Sequence, residues 1–313
     1  KSSKSTGSTS FKKGTMELGY ACINNQLRKK DIFTNRSMIK KTFINKGIEY
    51  VSELSTKNID DLLTIVKWNL ENDIYLFRMS SSLFPWMSEY NLEDLPNWNY
   101  IKNTLQKIGS LIKETNSRIS FHPGPFNILC SPKNDVVDKT VKELDQHSFI
   151  MDTMGLSQSR MHKINIHIGG AYGDKKSTMD RWIDNFSKLS ISTQKRLTIE
   201  NDDRKNLYTV DDLLYVSEKT KCPIVFDFHH YDCNPGELSK KESLELALCT
   251  WDNIKPITHF SSSRKNYEDS TCKVVAHADY LYEEIPTFGY DFDVVVEAKA
   301  KEQAVKKYIK YYK

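Results

Sequence analysis

The sequence lacks several features that would assign it to large classes of proteins. It has no apolar run near the roughly 20 residues that cross a bilayer, and its N-terminus has no apolar signal-peptide segment. Its six cysteines form no CxxC pair, so neither a zinc knuckle nor a disulfide framework is indicated. We therefore expect an intracellular protein with reduced thiols and no membrane partner, in the cytoplasm of a prokaryote or virus-infected cell, or in a nucleus.

Phosphate-binding loops and strong charge bias are also missing. Neither GxGxxG nor GxxxxGK[ST] occurs, which removes the main support for a doubly wound nucleotide-binding sheet. The formal net charge is only +4. A balance of this size is compatible with a polyanionic partner but does not demand one, so the distribution of charge must decide.

The first 15 residues differ in composition from the rest. They are rich in Ser and Lys, and Phe11 is their only large apolar residue. Because such a segment cannot offset its ordering entropy by burial, we expect 1–15 to be a disordered basic tail. The remaining 16–313 is close to the ~250 residues that a barrel of alternating strands and helices uses as one domain.

Beyond the tail, short segments rich in Val, Ile and Phe recur along the chain. Several are continuously apolar, as in strands buried on both faces of a parallel sheet. The predicted strands are 17–22, 74–79, 118–122, 163–168, 196–200, 223–229, 256–260 and 293–297.

Helical patterns lie between the predicted strands. An apolar stripe runs from Ile101 to Ile112, hydroxyl caps stand at Thr209 and Ser239, and 300–308 is predicted as a closing helix. Eight strands with intervening helices predict an α/β fold, a (β/α)₈ barrel, with an open doubly wound sheet as the alternative.

Side chains that bind metals stand at or near the C-terminal ends of the predicted strands. Barrel active sites are built at that end, where the strand ends converge on one mouth. Imidazoles and carboxylates without thiolates suit Zn²⁺, Mn²⁺ or Fe²⁺. The candidates outnumber the four ligands of one tetrahedral ion, so we expect two or three metals sharing carboxylates. They are His122, His167, Glu200, Asp227, His230, His259 and Glu297.

The segment from Cys222 to His230 carries the most specific of these signals, because its apolar run ends in Asp227, His229 and His230. Strict alternation along a strand pairs Asp227 with His229. His230 lies just past the predicted strand end, where alternation lapses and the chain turns over the mouth. We choose His230 as the ligand and place His229 behind it, although spacing alone leaves both open.

For other candidates, a purely structural role is an alternative to metal binding. A single histidine is more often a hydrogen-bonded core residue, and His147 and His162 are placed in that class. Glu200 taken alone could equally be a helix-cap or salt-bridge residue. His277 is not on a clear strand, and spacing leaves its role open.

Basic pairs follow three of the predicted strands. One pair would be an ordinary solvated loop, but three on one face predict a positive track for a phosphate backbone. The pairs are Lys175–Lys176, Arg204–Lys205 and Arg264–Lys265. We expect Lys175, Arg204 and Arg264 to contact DNA.

Most of the candidate metal ligands belong to motifs that resemble those of the UV-damage endonuclease family, metal-dependent TIM-barrel nucleases of DNA repair. The motifs occur together and in order, from about residue 17 to 302. They are LGYAC (18–22), RMSS (78–81) with FP (84–85), FHPG (121–124), HIGG (167–170) with YGDK (172–175), ENDD (200–203), FDFHH (226–230), HADY (277–280) and EAK (297–299).

The resemblance implies a barrel with a multinuclear metal site and ATP-independent incision of double-stranded DNA. The cut falls immediately 5′ to cyclobutane dimers and 6-4 photoproducts, by metal-activated water, and leaves 3′-hydroxyl and 5′-phosphate ends. Mn²⁺ is expected first, although Zn²⁺ or Mg²⁺ also fit, and the protein is expected to be a monomer. Residue matching places the metal ligands at His122, His167, Glu200, Asp227, His230, His259, His277 and Glu297.

The resemblance also implies contacts with DNA. It places Tyr20 near the lesion and a two-residue probe at Pro125 and Phe126. The family usually has Gln where Pro125 stands, so the hydrogen bonds of the amide are lost while Phe126 can still stack. Some members have a modified Lys two residues before the match of His259, and Ile257 stands there in this sequence.

Catalytic roles and alternatives follow from this site. We assign Glu200 and Glu297 as bridging carboxylates and Lys299 as a phosphate contact. An apurinic-site endonuclease would use a similar cluster, and a metal-dependent sugar isomerase would need a small closed pocket. A non-catalytic damage-binding module is disfavoured, because clustered carboxylates are costly without metals.

Overall fold

The computed structural model describes residues 15–313 and contains one sheet of eight parallel strands. The tail expected for 1–15 lies outside the described residues, apart from Thr15. The sheet order is β6-β5-β4-β3-β2-β1-β8-β7. The strands are β1 Leu18–Ala21, β2 Leu76–Met79, β3 Arg118–Phe121, β4 Ile164–Ile166, β5 Leu197–Glu200, β6 Ile224–Val225, β7 Ile257–Phe260 and β8 Asp293–Val296.

The two ends of this order meet, so the sheet forms a nearly closed barrel. An isolated parallel bridge joins Asp227, just past β6, to His259 of β7, and the His259 N–H donates to the Phe226 carbonyl at 2.9 Å. The predicted (β/α)₈ barrel is confirmed.

Helices surround the barrel. Capping boxes are present at Thr209 and Ser239, where the sequence predicts helix starts. None of the helices within 15–313 combines the length and hydrophobicity needed to cross a bilayer. They are α1 Asn25–Arg28, α2 Lys40–Glu71 with a kink at Gly47, α3 Trp98–Glu114, α4 Asn134–Thr153, α5 Lys175–Phe186, α6 Ile191–Arg196, α7 Val210–Thr220, α8 Phe228–Cys233, α9 Lys240–Cys249, α10 Arg264–Tyr267 and α11 Glu302–Tyr312.

The predicted strand 223–229 is wrong beyond Val225. The chain turns at Asp227 and enters the helix α8, and the Asp227 side chain accepts the His230 N–H at 2.8 Å. Asp is among the strongest N-cap residues, so a local capping bond overrides the β-propensity of the preceding apolar run. His229 and His230 are therefore helical residues.

The apolar core lies between the strands and the helices, while the inside of the barrel is partly polar. At the N-terminal end of the barrel, Arg118 of β3 lies 3.3 Å from Asp293 of β8. Tyr20 and Phe121 point outward into the core. His147 and His162 are buried, as the core interpretation predicts.

One glycine permits a close contact between two helices. A Cβ added to Gly109 of α3 would lie 1.8 Å from the carbonyl oxygen of Met154, the residue after α4. This distance is below any real contact, so only glycine fits at the crossing.

Candidate metal centre

At the mouth of the barrel, six of the eight predicted ligands form two groups that share Glu200. The first group is His122, His167 and Glu200, and the second is Glu200, Asp227, His259 and Glu297. The potential ligand atoms of each group lie within 4.8 Å of one another. Glu200 is therefore the residue that both groups have in common.

The two carboxylate oxygens of Glu200 face different groups. Its Oε2 lies 3.1 Å from His122 Nε2 and 2.9 Å from His167 Nε2. Its Oε1 lies 2.6 Å from His259 Nδ1. The Asn165 amide of β4 donates to Oε2 at 3.1 Å and holds the carboxylate in this orientation.

The helical turn after Asp227 separates the roles of the two neighbouring histidines. Residues three apart lie on one side of a helix, so Asp227 and His230 face the mouth together. His230 Nδ1 lies 2.8 Å from the Asn201 carbonyl and 3.8 Å from Glu200 Oε1. His229 is buried with its ring 5.3 Å from the ring of His277. His230 thus lies beside Glu200 and Asp227 but outside the two groups, and His229 packs against His277.

Glu297 connects the second group to the β8–β1 side of the mouth. Its Oε1 lies 2.6 Å from Arg78 Nη1 and 3.2 Å from His259 Nδ1. His277 Nδ1 lies 2.8 Å from the Glu297 carbonyl oxygen and 3.8 Å from Glu297 Oε2, so His277 lies at the edge of the cluster. Arg78 was not a predicted site residue, although its RMSS motif carried part of the resemblance.

The residues present fit a divalent metal. Among the buried polar atoms of the cluster that have no hydrogen-bond partner within 15–313 are His122 Nδ1, His259 Nε2 and Asp227 Oδ2. A buried polar atom without a partner costs roughly 1–3 kcal/mol. Coordination of Asp227 Oδ2 by a cation would remove one such cost, and a set of imidazole and carboxylate donors suits divalent ions.

The electrostatics of the cluster also suit a cation. Burial opposes ionisation of Glu200, but His259 and His167 hold the pKa of its carboxyl well below the usual range. Burial raises the pKa of Asp227 well above its usual range. Burial disfavours the charged form of His230, yet Asp227 and Glu200 raise its pKa to about 9. Burial lowers the pKa of His122 to about 4 and also lowers the pKa of His259, whereas, despite burial, Glu200 and Asp202 raise the pKa of His167 well above its usual range. Protons on His167 and His230 thus compensate the carboxylates, and metal binding would release them.

Two pockets flank the cluster on opposite sides of the mouth. The first, of about 610 Å³, lies on the β3–β6 side and is lined by His122, His167, Asp202 and His230 among others. The second, of about 520 Å³, lies on the β8–β1 side beside Glu297. The candidate metal centre therefore lies between two open spaces rather than at the bottom of one closed cavity.

The predicted DNA contacts differ in their surroundings. Phe126 is 88 % exposed, and Pro125 lines the first pocket beside it. Tyr20 was predicted to lie near the lesion, but its side chain is 0 % exposed in the structure. Its hydroxyl donates to Asn69 at 2.6 Å and accepts from Asn24 at 3.0 Å. In this conformation Tyr20 has no surface to offer to DNA.

The predicted basic track is partly neutralised within the protein. Lys175 lies 2.8 Å from Asp212, and Arg264 lies 3.6 Å from Asp279. Arg204 and Lys205 are exposed and form no ion pair in the described part of the chain, and Arg204 lines the first pocket. Within the described residues, the members of the three pairs that are exposed and form no ion pair are therefore Arg204, Lys205 and Lys265.

Comparisons with known proteins show which sequences and structures this chain is similar to. Residues 16–312 match the model of the family described as UV-endonuclease UvdE. A putative UV-damage endonuclease of Acanthamoeba polyphaga mimivirus is 34 % identical over 306 residues, which cover 95 % of this chain and 92 % of that protein. The UV-damage endonuclease of Schizosaccharomyces pombe is 36 % identical over 306 residues, and the chain spans 49 % of its length.

A solved structure is similar over nearly its whole length. The crystal structure of SacUVDE has a TM-score of 0.82 and 31 % sequence identity, with 94 % of this chain and 98 % of that chain covered.

Proposed function

Because the chain belongs to the UV-endonuclease UvdE family of DNA-cleaving enzymes, we propose that it incises double-stranded DNA immediately 5′ to UV photoproducts. The products would be 3′-hydroxyl and 5′-phosphate ends, and the protein would act as a monomer without ATP. The observation that carries the proposal is the division of Glu200 between two ligand groups at an open mouth. That arrangement suits hydrolysis of a phosphodiester that crosses the mouth.

The metal ligands form the first part of the proposal. They hold a cluster of two or three divalent ions, with Mn²⁺ preferred and Zn²⁺ or Mg²⁺ also compatible. Bound there, such ions supply a water of lowered pKa and offset charge on the phosphoryl oxygens. The proposed ligands are His122, His167, Glu200, Asp227, His230, His259, His277 and Glu297.

The surrounding side chains position these ligands. Asn165 orients Glu200, and Arg78 fixes Glu297 through a 2.6 Å contact. The Asn201 carbonyl, 2.8 Å from His230 Nδ1, leaves Nε2 of His230 for coordination. Such supporting contacts fix ring orientation and tautomer. Lys299 is exposed beside Glu297 and is proposed to contact a phosphate.

The function is tested with end-labelled duplexes that each carry one defined lesion, incubated with Mn²⁺. We expect one cut immediately 5′ to the photoproduct, and no cut by the Asp227→Ala variant. A preference for abasic duplexes would favour an apurinic-site endonuclease instead. Failure to cut any photoproduct duplex would reject the proposal.

The side chain of Phe126 is expected to insert into the DNA double helix at the lesion and to stack on its bases. The Phe126→Ala variant should incise photoproduct duplexes about tenfold more slowly, because base–aromatic stacking contributes ~1–3 kcal/mol. Its metal content should equal that of the wild type. Incision rates under single-turnover conditions and metal analysis check both points.

The matched control for this variant is Phe288→Ala. Phe288 is also exposed, but it precedes β8 and lies at the N-terminal end of the barrel. Equal rates for Phe126→Ala and Phe288→Ala would remove the role of Phe126.

Arg204 and Lys205 are expected to carry more of the backbone binding than Lys175 and Arg264. The Arg204→Gln/Lys205→Gln variant should reduce the slope of log K against log salt by ~0.9 for each phosphate that the protein no longer neutralises. Substitution of the ion-paired Lys175 should have a smaller effect. Fluorescence anisotropy across a salt series gives these slopes. An equal change in slope for Lys175→Gln would show that the ion pair with Asp212 does not keep Lys175 from binding the DNA backbone.

A further inference from the structure

The second pocket has basic and apolar walls that the sequence predictions did not cover, except for Lys299. Its volume of about 520 Å³ lies within the ~300–1,000 Å³ typical of small-ligand sites. Arg28, Val275, Lys299 and Lys301 line it, together with Glu297 of the candidate metal centre. The pocket therefore adjoins the cluster from the side opposite to Phe126.

Three of the four Arg and Lys side chains that line this pocket are free to bind an anion, while Arg78 is paired with Glu297. Arg28, Lys299 and Lys301 form no ion pair within the described residues, whereas Lys175 and Arg264 on other loops are paired. The Arg28 guanidinium lies over the ring of Phe33, 4.9 Å from its centroid. Three uncompensated positive charges beside one carboxylate favour a polyanion such as a phosphodiester chain.

An exposed apolar turn forms another wall. Val274 and Val275 are 55 % and 37 % exposed. They occupy the tip of a turn that the Ala276 N–H closes by donating to the Lys273 carbonyl at 3.1 Å. Two β-branched apolar residues are unusual at such a tip, where Gly, Asn, Asp, Pro and Ser dominate.

The base of this turn is attached to the metal centre. The Arg264 N–H donates to the Ala276 carbonyl at 2.9 Å, and His277 forms a bridge with Ser263. The ring of His277 also lies against His229. The position of the valine tip is therefore fixed relative to Glu297.

The opposite wall is held by α11. Glu302 is buried, and its carboxylate accepts the N–H groups of Asn25 at 2.8 Å and Gln26 at 2.7 Å. The Asn25 amide donates to the Lys299 carbonyl at 3.1 Å. These bonds fix the segment that carries Arg28 to the segment that carries Lys299, so the pocket is preformed.

We propose that this pocket is a second DNA-binding subsite, in which Arg28, Lys299 and Lys301 bind the phosphodiester backbone and the Val274–Val275 tip packs against the adjacent bases. This inference rests on the proposed function. The incised strand would cross the metal centre from the pocket beside Phe126 to the pocket beside Val275. The valine tip would contact the bases most fully where a lesion has already disturbed their stacking.

The first test concerns charge. Binding of the Arg28→Gln/Lys301→Gln variant to lesion-bearing and undamaged duplexes is measured by anisotropy across a salt series, with Mn²⁺ and with chelator. The slope of log K against log salt should fall by about 1.8, the value for two phosphates that are no longer neutralised. Lys195→Gln is the control, because Lys195 is exposed just before β5 at the opposite end of the barrel. A slope equal to that of the control would overturn the backbone assignment.

The second test concerns the apolar tip. The Val274→Ser/Val275→Ser variant should bind lesion-bearing duplex about tenfold more weakly, as expected when the burial of one valine side chain is lost, with the salt slope unchanged and a smaller loss on undamaged duplex. Ile191→Ser is the control, since Ile191 is exposed at the start of α6. Affinity equal to that of the control would overturn the role of the tip.

These experiments distinguish a failure of the proposed function from a failure of the proposed subsite. If the wild-type protein binds DNA but cuts no photoproduct duplex, the proposed function falls, while the binding data still decide the subsite. If the wild type cuts as proposed and both variants bind and cut like their controls, the subsite is rejected and the function stands.

Discussion

Replacing Glu200 with alanine is expected to remove metal from both ligand groups and to lower the incision rate by about 10³-fold or more. Glu200 is fully buried and belongs to both groups, so no single ion would keep a complete set of ligands. A bound metal contributes several kcal/mol of transition-state stabilisation, and a loss of ~4 kcal/mol corresponds to a factor of about 10³. Metal analysis and single-turnover incision measure the two effects.

Two further variants serve as comparisons for Glu200→Ala. Glu200→Gln keeps the shape of the side chain but removes its charge, and should retain part of the metal. Glu218→Ala, on the exposed face of α7, should behave as the wild type. Full metal content in a folded Glu200→Ala protein would contradict the bridging role.

Replacing Gly109 with alanine is expected to destabilise the protein by about 3 kcal/mol, within the range for overpacked sites. The added Cβ would meet the Met154 carbonyl at 1.8 Å, and a backbone atom cannot move aside as a flexible side chain can. The helices α3 and α4 would have to separate. Urea unfolding measures the change in the free energy of unfolding.

Gly124→Ala is the matched substitution. A Cβ at Gly124 has no heavy atom within 4 Å, so its unfolding midpoint should stay near that of the wild type. The same midpoint for Gly109→Ala would show that the helix crossing can relax.

The barrel could be predicted from the sequence because short segments rich in Val, Ile and Phe recur and several of them are continuously apolar. The position of the mouth could be predicted because imidazoles and carboxylates stand at the ends of these segments. The helix after Asp227 could not be read in this way. The pattern from Cys222 to His230 continues the apolar alternation of a strand, and one capping bond from Asp227 to the His230 N–H reverses the outcome. Periodicity averages over several residues and does not register such a bond.

The orientation of Tyr20 follows from strand alternation once the register of the strands is known. Ala21 pairs with Arg78 and Gly19 with Val295, and Arg78 reaches Glu297 at the mouth. Tyr20 must then point to the other side of the sheet, into the core. The neutralisation of Lys175 by Asp212 could not be predicted from the sequence, because these residues are 37 positions apart and meet only in the folded protein.

The seam between β6 and β7 has a consequence for how the folded protein fluctuates. Asp227 and His259 form the bridge that closes the ring of strands, and both are candidate ligands of one group. An ion held by both would tie the two free ends of the sheet together and shift the equilibrium away from locally opened forms. Amide hydrogen exchange at His259 should therefore slow when metal is added, which links the occupancy of the site to how often the barrel opens.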